Sequence, residues 1–126
     1  MSDRPALWVG HVALATHDIQ RSYAFYRDLG LRSLHEPEAD WGLAQLEMRG
    51  GTHLALVLDP NAKTEGRQAP FDLMPDDIDA LHASMTARGV NVSPIARPEG
   101  DHAFFTFTDP DGYVVTVNDS HVTGDV

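Results

Sequence analysis

The sequence predicts an α+β domain built from two copies of a β-α-β-β-β module. The spacing in "DIQRSYAFYRDLGL" recurs in "DIDALHASMTARGV", where an Asp-Ile pair precedes a glycine and an apolar residue at the same distance. Around both segments apolar and polar residues alternate, as they do in strands with one buried face. Near the end of each half a glycine, Gly51 or Gly112, opens an apolar-rich segment. Equal spacing and equal element order indicate an internal duplication.

The first half reads as a strand, a helix and three further strands. Alternation predicts the opening strand over Leu7–Ala15. Thr16 or Asp18 can cap a helix whose apolar residues recur at helical spacing, and Gly30 ends it. The aromatic residues of this helix, Tyr23, Phe25 and Tyr26, are predicted to lie in the core and at an interface rather than in the site. The remaining strands are predicted over residues 31–35, 41–48 and 52–58.

The second half repeats this order after a polar linker over residues 59–69. Asp76 or Asp77 caps its helix and Gly89 ends it. Its strands are predicted over residues 70–74, 90–95, 103–108 and 113–118, with a tight turn at Asp109–Gly112 before the last one. We therefore expect a single domain over residues 1–126, with module one at about 7–58 and module two at about 70–119.

Composition excludes several classes of function. The formal net charge is −10, from nine Lys and Arg against nineteen Asp and Glu, so a nucleic-acid partner or an anionic membrane surface is not expected. Cysteine is absent, which excludes disulfides and thiolate metal sites. The N-terminal residues have no signal-peptide pattern, and no apolar run is long enough to span a bilayer. We expect a cytoplasmic protein that binds a small molecule.

Two segments carry a family resemblance. "HVALATHDIQRSYAFYRDLGL" and "FTFTDPDGYVVTVND" resemble the opening and closing signatures of the vicinal oxygen chelate superfamily, which contains glyoxalase I, bleomycin-resistance proteins and extradiol dioxygenases. The resemblance implies two curled sheets, each with a helix on its convex side, that pair into a U-shaped ligand-binding cleft. It also implies a homodimer, and it leaves open whether the cleft belongs to one chain or is shared between subunits.

The resemblance further implies four cleft-facing positions that hold metal ligands in metal-dependent members. His11 matches the first, whereas Ala55, Gln68 (or Pro70) and Thr116 stand at the other three. A complete set would suit Zn, Ni, Mn or Fe. Because only His11 matches a metal-ligand position, the sequence predicts that the protein has no cofactor. The alternative is that it binds a divalent metal. His53 lies two residues before Ala55 on the same strand face, so we expect it to replace that ligand only if the strand shifts.

Strand phase selects the residues expected to contact a ligand. The faces opposite the bulky apolar residues are smaller and more polar, as a binding concavity requires. Trp41 is expected at the cleft mouth, where its ring could stack on a planar ligand or anchor the strand. The sequence assigns no catalytic residue. The predicted ligand-binding residues are His11, Trp41, His53, Gln68, Phe104, Thr106 and Thr116.

The other polar residues receive structural interpretations. His17, His35 and His82 are expected on solvated faces, and His102 beside Asp101 is expected in an ordinary loop, with an orienting carboxylate as the alternative.

Three functions follow from these observations. The first is a binding protein of the sequestration or resistance type that holds a small organic ligand without a complete metal site. The second is a divalent-metal-dependent lyase, isomerase or ring-cleaving dioxygenase that uses His11. The third is an interaction module with a vestigial cleft.

Overall fold

The computed structural model describes residues 4–121. By its internal contacts the chain divides into two compact units. The first unit ends at Ala62, and the second spans Lys63–Ser120.

The first unit is a four-stranded sheet with one long helix. Strand β1 runs parallel to β4, and the other neighbours are antiparallel, in the order β1-β4-β3-β2. A single 3-10 turn at Arg49–Gly51 precedes β4. The elements are β1 (His11–Thr16), α1 (Ile19–Leu29), β2 (Arg32–His35), β3 (Leu43–Glu47) and β4 (His53–Leu58).

The second unit repeats this topology. Strand β5 runs parallel to β8, the other neighbours are antiparallel, and the order is β5-β8-β7-β6. The predicted fold of two duplicated β-α-β-β-β modules is therefore confirmed. The elements are β5 (Gln68–Leu73), α2 (Ile78–Ala87), β6 (Asn91–Val92), β7 (Phe104–Thr108) and β8 (Val114–Asn118).

The two helices begin with the same capping interaction. The Asp18 carboxylate accepts a hydrogen bond from the backbone N–H of Arg21, and that of Asp77 accepts one from Ala80. In each case the side chain satisfies one of the N–H groups that a helix leaves unpaired at its start. The capping residues are therefore Asp18 rather than Thr16, and Asp77 rather than Asp76.

Each sheet buries one face against its helix. The aromatic residues Tyr23 and Tyr26 of α1 are buried as predicted, and Ile78 and Met85 of α2 are buried likewise. The sheet residues in these cores alternate with accessible ones, which confirms the predicted strand phases. The buried sheet residues are Leu14, Ala44, Leu46, Leu54, Leu56, Phe105, Phe107, Val115 and Val117.

Some predicted strand bounds are wrong. β1 begins at His11 rather than Leu7, and the side chains of Leu7 and Trp8 before it are 87% and 67% exposed. β3 begins at Leu43, because Trp41 pairs only with Glu38 in an isolated bridge. β5 begins at Gln68, earlier than predicted, since it pairs with β8 from that residue. Alternation marks a buried face, but backbone pairing sets where a strand begins.

Candidate functional site

The face of each sheet opposite its helix is accessible, and we call it the open face. On the open face of the first sheet four side chains form one row across the strands. His11 of β1 is opposite His53 of β4, His53 is opposite Glu47 of β3, and Glu47 is opposite Arg32 of β2. Residues opposite one another in paired strands point to the same side of a sheet, so these four side chains are neighbours.

The two imidazoles of this row are in direct contact. The ring centroids of His11 and His53 are 4.9 Å apart, with an interplanar angle of 83°. His11 is exposed and His53 is half-buried. The Nδ1 atom of His53 is buried and has no hydrogen-bond partner among the described residues. An unpaired buried polar atom is costly, so Nδ1 of His53 is an unsatisfied group at this site.

The parallel register explains this contact, which the sequence did not predict. We expected the first-module partner of His11 at Ala55, but Ala55 is opposite Ala13, one row further along the sheet. The backbone N–H of His53 donates to the carbonyl of Gly10, which fixes the register. A parallel register depends on tertiary packing, so periodicity within one strand could not reveal it.

The carboxylate of the row already has a cationic partner. Arg32 donates from its guanidinium to Oε1 of Glu47. The Arg32 side chain is 77% exposed, whereas that of Glu47 is 19% exposed. The row therefore presents two imidazoles beside an ion pair of zero net charge. The small Ala13 and Ala55 in the adjacent row leave room above the strands.

The open face of the second sheet carries hydroxyl and amide groups and one carboxylate, and these bond to one another. The amide Nε2 of Gln68 donates to Oγ1 of Thr116 at 3.2 Å. Asn118 donates from Nδ2 to Oδ2 of Asp72 at 2.6 Å. Thr106 is opposite Thr116 in the register.

Phe104 completes the second open face. It is opposite Asn118 and is 37% exposed. The structure thus brings together Gln68, Phe104, Thr106 and Thr116, four of the predicted ligand-binding residues. A ligand on this face would meet one aromatic ring, a set of hydroxyl and amide groups, and the Asp72 carboxylate.

Trp41 lies away from His11 and His53. It follows Glu38 in the β2–β3 connection and lies near Leu58, at the opposite end of β4 from His53. The length of that strand places the two ends roughly 16 Å apart. Trp41 is 46% exposed, and its ring makes an edge contact with His35 at 4.3 Å between centroids.

The prediction of a solvated face is wrong for His82, which is half-buried, whereas His17 is exposed as expected. Nε2 of His82 donates to the carbonyl of Ser93 at 2.8 Å, and the ring packs on Phe105 with centroids 4.9 Å apart. Nε2 of His17 donates to the carbonyl of Ala62 at 2.6 Å. These rings join neighbouring segments, because an imidazole can fill apolar space with its ring while one nitrogen satisfies a carbonyl.

His102 is oriented by a carboxylate, but the partner is Asp119 rather than Asp101. Its Nδ1 donates to Oδ1 of Asp119 at 2.7 Å, and Asp101 accepts from the His102 backbone N–H instead. The hydrogen bond to the Asp119 carboxylate raises the pKa of His102, and the same bond lowers the pKa of Asp119. His102 lies in the loop before β7, as expected, and the carboxylate that orients it is Asp119.

The residues at the four family positions do not fit a divalent metal. Ala55 has no donor atom, and Gln68 and Thr116 are neutral and bonded to each other. His11 and His53 offer two imidazoles, fewer than the three or four protein ligands that protein zinc sites use. Among residues 4–121 no group of three or more His, Asp or Glu side chains has an arrangement that could hold a metal ion.

Comparison with known families decides the assignment. A family model described as the Glyoxalase/Bleomycin resistance protein/Dioxygenase superfamily matches residues 8–117. The chain belongs to this superfamily. The expected resemblance is thereby confirmed over nearly the whole chain. A comparison with curated protein sequences found no match.

Solved structures share the fold. A superfamily member from Sphaerobacter thermophilus is 22% identical, with a TM-score of 0.76 over 90% of this chain and 98% of that chain. TnmS3, an antibiotic binding protein from Streptomyces sp. CB03234, is 26% identical, with a TM-score of 0.76 over 92% and 98%. A lactoylglutathione lyase from Agrobacterium tumefaciens is 23% identical, with a TM-score of 0.73 over 93% and 96%.

The helices also bear on whether the described part of the chain could span a membrane. Neither helix in the described part of the chain has the length and apolar character needed to cross a membrane.

Proposed function

We propose that this protein binds a small organic ligand on the open face of its first sheet, as a sequestration- or resistance-type member of its superfamily. The observation that carries the proposal is the pair His11 and His53, in contact on a face where the neighbouring Ala13 and Ala55 have only methyl side chains. Such a face offers directed hydrogen bonds beside space for an apolar body, the combination that small-molecule sites share.

The polar groups suit an uncharged or weakly acidic ligand. Each neutral imidazole has one N–H donor and one acceptor nitrogen, so the pair can both donate to and accept from a hydroxyl or carbonyl group. The nearby Glu47 carboxylate is bonded to Arg32 and adds no net charge. We therefore assign recognition to His11 and His53, with Gln68, Thr106, Thr116 and Phe104 as candidate contacts of the second open face.

Similarity to a binding protein supports sequestration. TnmS3, an antibiotic binding protein, is 26% identical over 92% of this chain. The chain also shares its fold with a bleomycin resistance determinant encoded on the transposon Tn5, which is 17% identical. A protein that only holds its ligand needs no metal-activated group, in keeping with the neutral residues at the family's metal positions.

The alternative is a divalent-metal-dependent lyase, isomerase or dioxygenase. The contact between His11 and His53 favours it, because two adjacent imidazoles are a common part of a metal site. The missing third donor disfavours it.

A thermal-shift screen of small aromatic and polycyclic molecules, followed by calorimetry, tests the proposal. A ligand that binds only the folded protein raises its melting temperature through mass action. Loss of one net hydrogen bond is worth about 0.5–1.5 kcal/mol, so His11→Ala should weaken a hit about two- to tenfold.

His17→Ala is the matched control, because it removes an imidazole of the same unit that bonds to Ala62 instead. It should leave the affinity unchanged. Equal affinity of the wild type and His11→Ala for every hit would contradict the assignment of the site.

We further propose a cytoplasmic homodimer with the module boundaries predicted above. Exposed Leu7, Trp8 and Val9 support self-association, because large accessible apolar side chains in sequence are typical of interfaces. Light scattering coupled to size-exclusion chromatography should give twice the mass of 13.8 kDa, and a monomer at micromolar concentration would contradict it.

A further inference from the structure

The first unit contains a cavity at the other end of its sheet from His11 and His53. Its volume is about 440 Å³, within the range of pockets that hold small molecules. Ile19 from the first turn of α1 and Leu58 from the end of β4 line it, and the β2–β3 connection closes it with Trp41. Leu58 is 42% exposed and Trp41 is 46% exposed, so apolar surface remains open to a ligand.

The charged groups of this cavity are of one sign. Glu38 and Asp40 line it, and none of its described lining residues is Lys, Arg or His. Nearby, Nε2 of His35 is 3.5 Å from Oε1 of Glu38, a contact that adds positive charge only when the imidazole is protonated. The two carboxylates therefore border an aromatic ring, and no described lining residue carries a permanent positive charge.

This chemistry selects a cation that has an apolar body. An indole face attracts a cation through the ring quadrupole, and the attraction is greatest for a weakly hydrated ammonium group. The carboxylates add Coulomb attraction, and the apolar walls formed by Ile19 and Leu58 favour the hydrocarbon part of the same molecule. The overall net charge of −10 would attract such a ligand from a distance.

We propose that this cavity is a binding site for a small organic cation, an aromatic or alkyl ammonium compound, distinct from the open-face site. Trp41 supplies the aromatic contact, Glu38 and Asp40 supply the charge, and Ile19 and Leu58 supply the apolar floor. The occupant is a small molecule because the cavity volume matches one. This site gives a role to Trp41, which does not belong to the row that contains His11 and His53.

Isothermal calorimetry with benzyltrimethylammonium, a permanently charged aromatic probe, tests the proposal. Benzyl alcohol is the neutral comparison. We expect saturable binding of the cation and much weaker binding of the alcohol. Trp41→Leu removes a cation–π contact of about 1 kcal/mol and should weaken binding about fivefold. Asp40→Asn and Glu38→Gln should each weaken it about two- to fivefold, and high salt should weaken it further.

Two controls separate this site from other effects. Glu99→Gln removes the same charge at an exposed position of the second unit and should leave the affinity unchanged. His11→Ala should also leave it unchanged, so this site and the proposed ligand site can fail independently. Asp40 is exposed, so Asp40→Asn should keep the fold. This variant still tests the site if Trp41→Leu lowers the melting temperature of the protein.

The proposal is overturned by any of three results. The first is the absence of saturable binding at millimolar benzyltrimethylammonium. The second is equal binding of benzyl alcohol. The third is unchanged affinity in both Trp41→Leu and Asp40→Asn.

Discussion

The two open faces share a topology but differ in chemistry. The first carries titratable groups, His11 and His53, in a row that ends in the ion pair of Glu47 and Arg32. The second carries no histidine in its row, and its hydroxyl, amide and carboxylate groups bond to one another, as in the bonds from Gln68 to Thr116 and from Asn118 to Asp72. The two modules therefore share their topology and their helix caps, whereas their accessible faces differ. Backbone pairing and core packing restrict which residues can occupy the buried positions. They do not restrict the open-face residues in this way, so these can differ according to the ligand.

The largest expected effect distinguishes the two faces of the second sheet. Phe105 is fully buried, whereas its neighbour Phe104 is 37% exposed on the open face. Phe105→Ala should lower the free energy of unfolding by about 3–5 kcal/mol, because it leaves a cavity as well as losing apolar burial. Phe104→Ala should cost roughly 1 kcal/mol. Urea unfolding measures both, and equal losses would show that the assigned strand phase is wrong.

The next comparison uses the glycine that opens the last strand of each module. Gly51 and Gly112 have φ values of 93° and 91°, which disfavour other residues by roughly 1–2 kcal/mol. A Cβ at Gly112 would lie 2.9 Å from the Cα of Glu65, whereas one at Gly51 would meet only the Trp8 side chain at 3.9 Å. Gly112→Ala should therefore destabilise the protein more than Gly51→Ala does. The reverse order in thermal unfolding would refute the close packing of Glu65 on this turn.

The helix caps test how alike the two modules are. Asp18→Ala and Asp77→Ala each remove one side-chain bond to an N–H group, at 3.1 and 3.0 Å. Each should cost about 1 kcal/mol of unfolding free energy. Asp→Asn variants at the same positions serve as controls, since asparagine also caps, and they should recover most of the loss. A large difference between the two alanine variants would mean that the caps are not equivalent.

The smallest expected effect concerns the pair of His102 and Asp119 in the second unit. The hydrogen bond to Asp119 raises the pKa of His102, so its contribution to stability is full below the ordinary histidine pKa and is lost as pH rises through the raised value. The pKa of Asp119 is lowered, so its contribution is lost only as pH falls through that low value. In Asp119→Asn the pKa of His102 should fall toward its ordinary value.

Proton NMR of the His102 ring follows this change directly, and His82 serves as an internal reference because it bonds to a backbone carbonyl. An unchanged pKa of His102 in Asp119→Asn would contradict the pairing. The effect on unfolding should be slight, because both side chains are partly exposed.

The sequence predicted the fold well because repeated local signals specified it. Asp18 and Asp77 act within one helical turn, and alternation identified Leu54, Leu56, Phe105 and Phe107 as core residues. The candidate site was predicted less well, since it depends on strand register. The pairing of His53 with His11 and the ion pair of Glu47 with Arg32 join residues that are far apart in the chain. The same holds for His102, because β7 and β8 separate it in the chain from its partner Asp119.

Metal content tests the central claim most directly. The account states that the first open face binds an organic ligand through His11 and His53 without a complete metal site. Elemental analysis by mass spectrometry, on protein expressed with Zn, Ni, Mn and Fe and then dialysed without chelator, should find far less than one metal ion per chain. His11→Ala should give the same result. One tightly retained ion per chain that is lost in His11→Ala would contradict the account and establish the metal-dependent alternative.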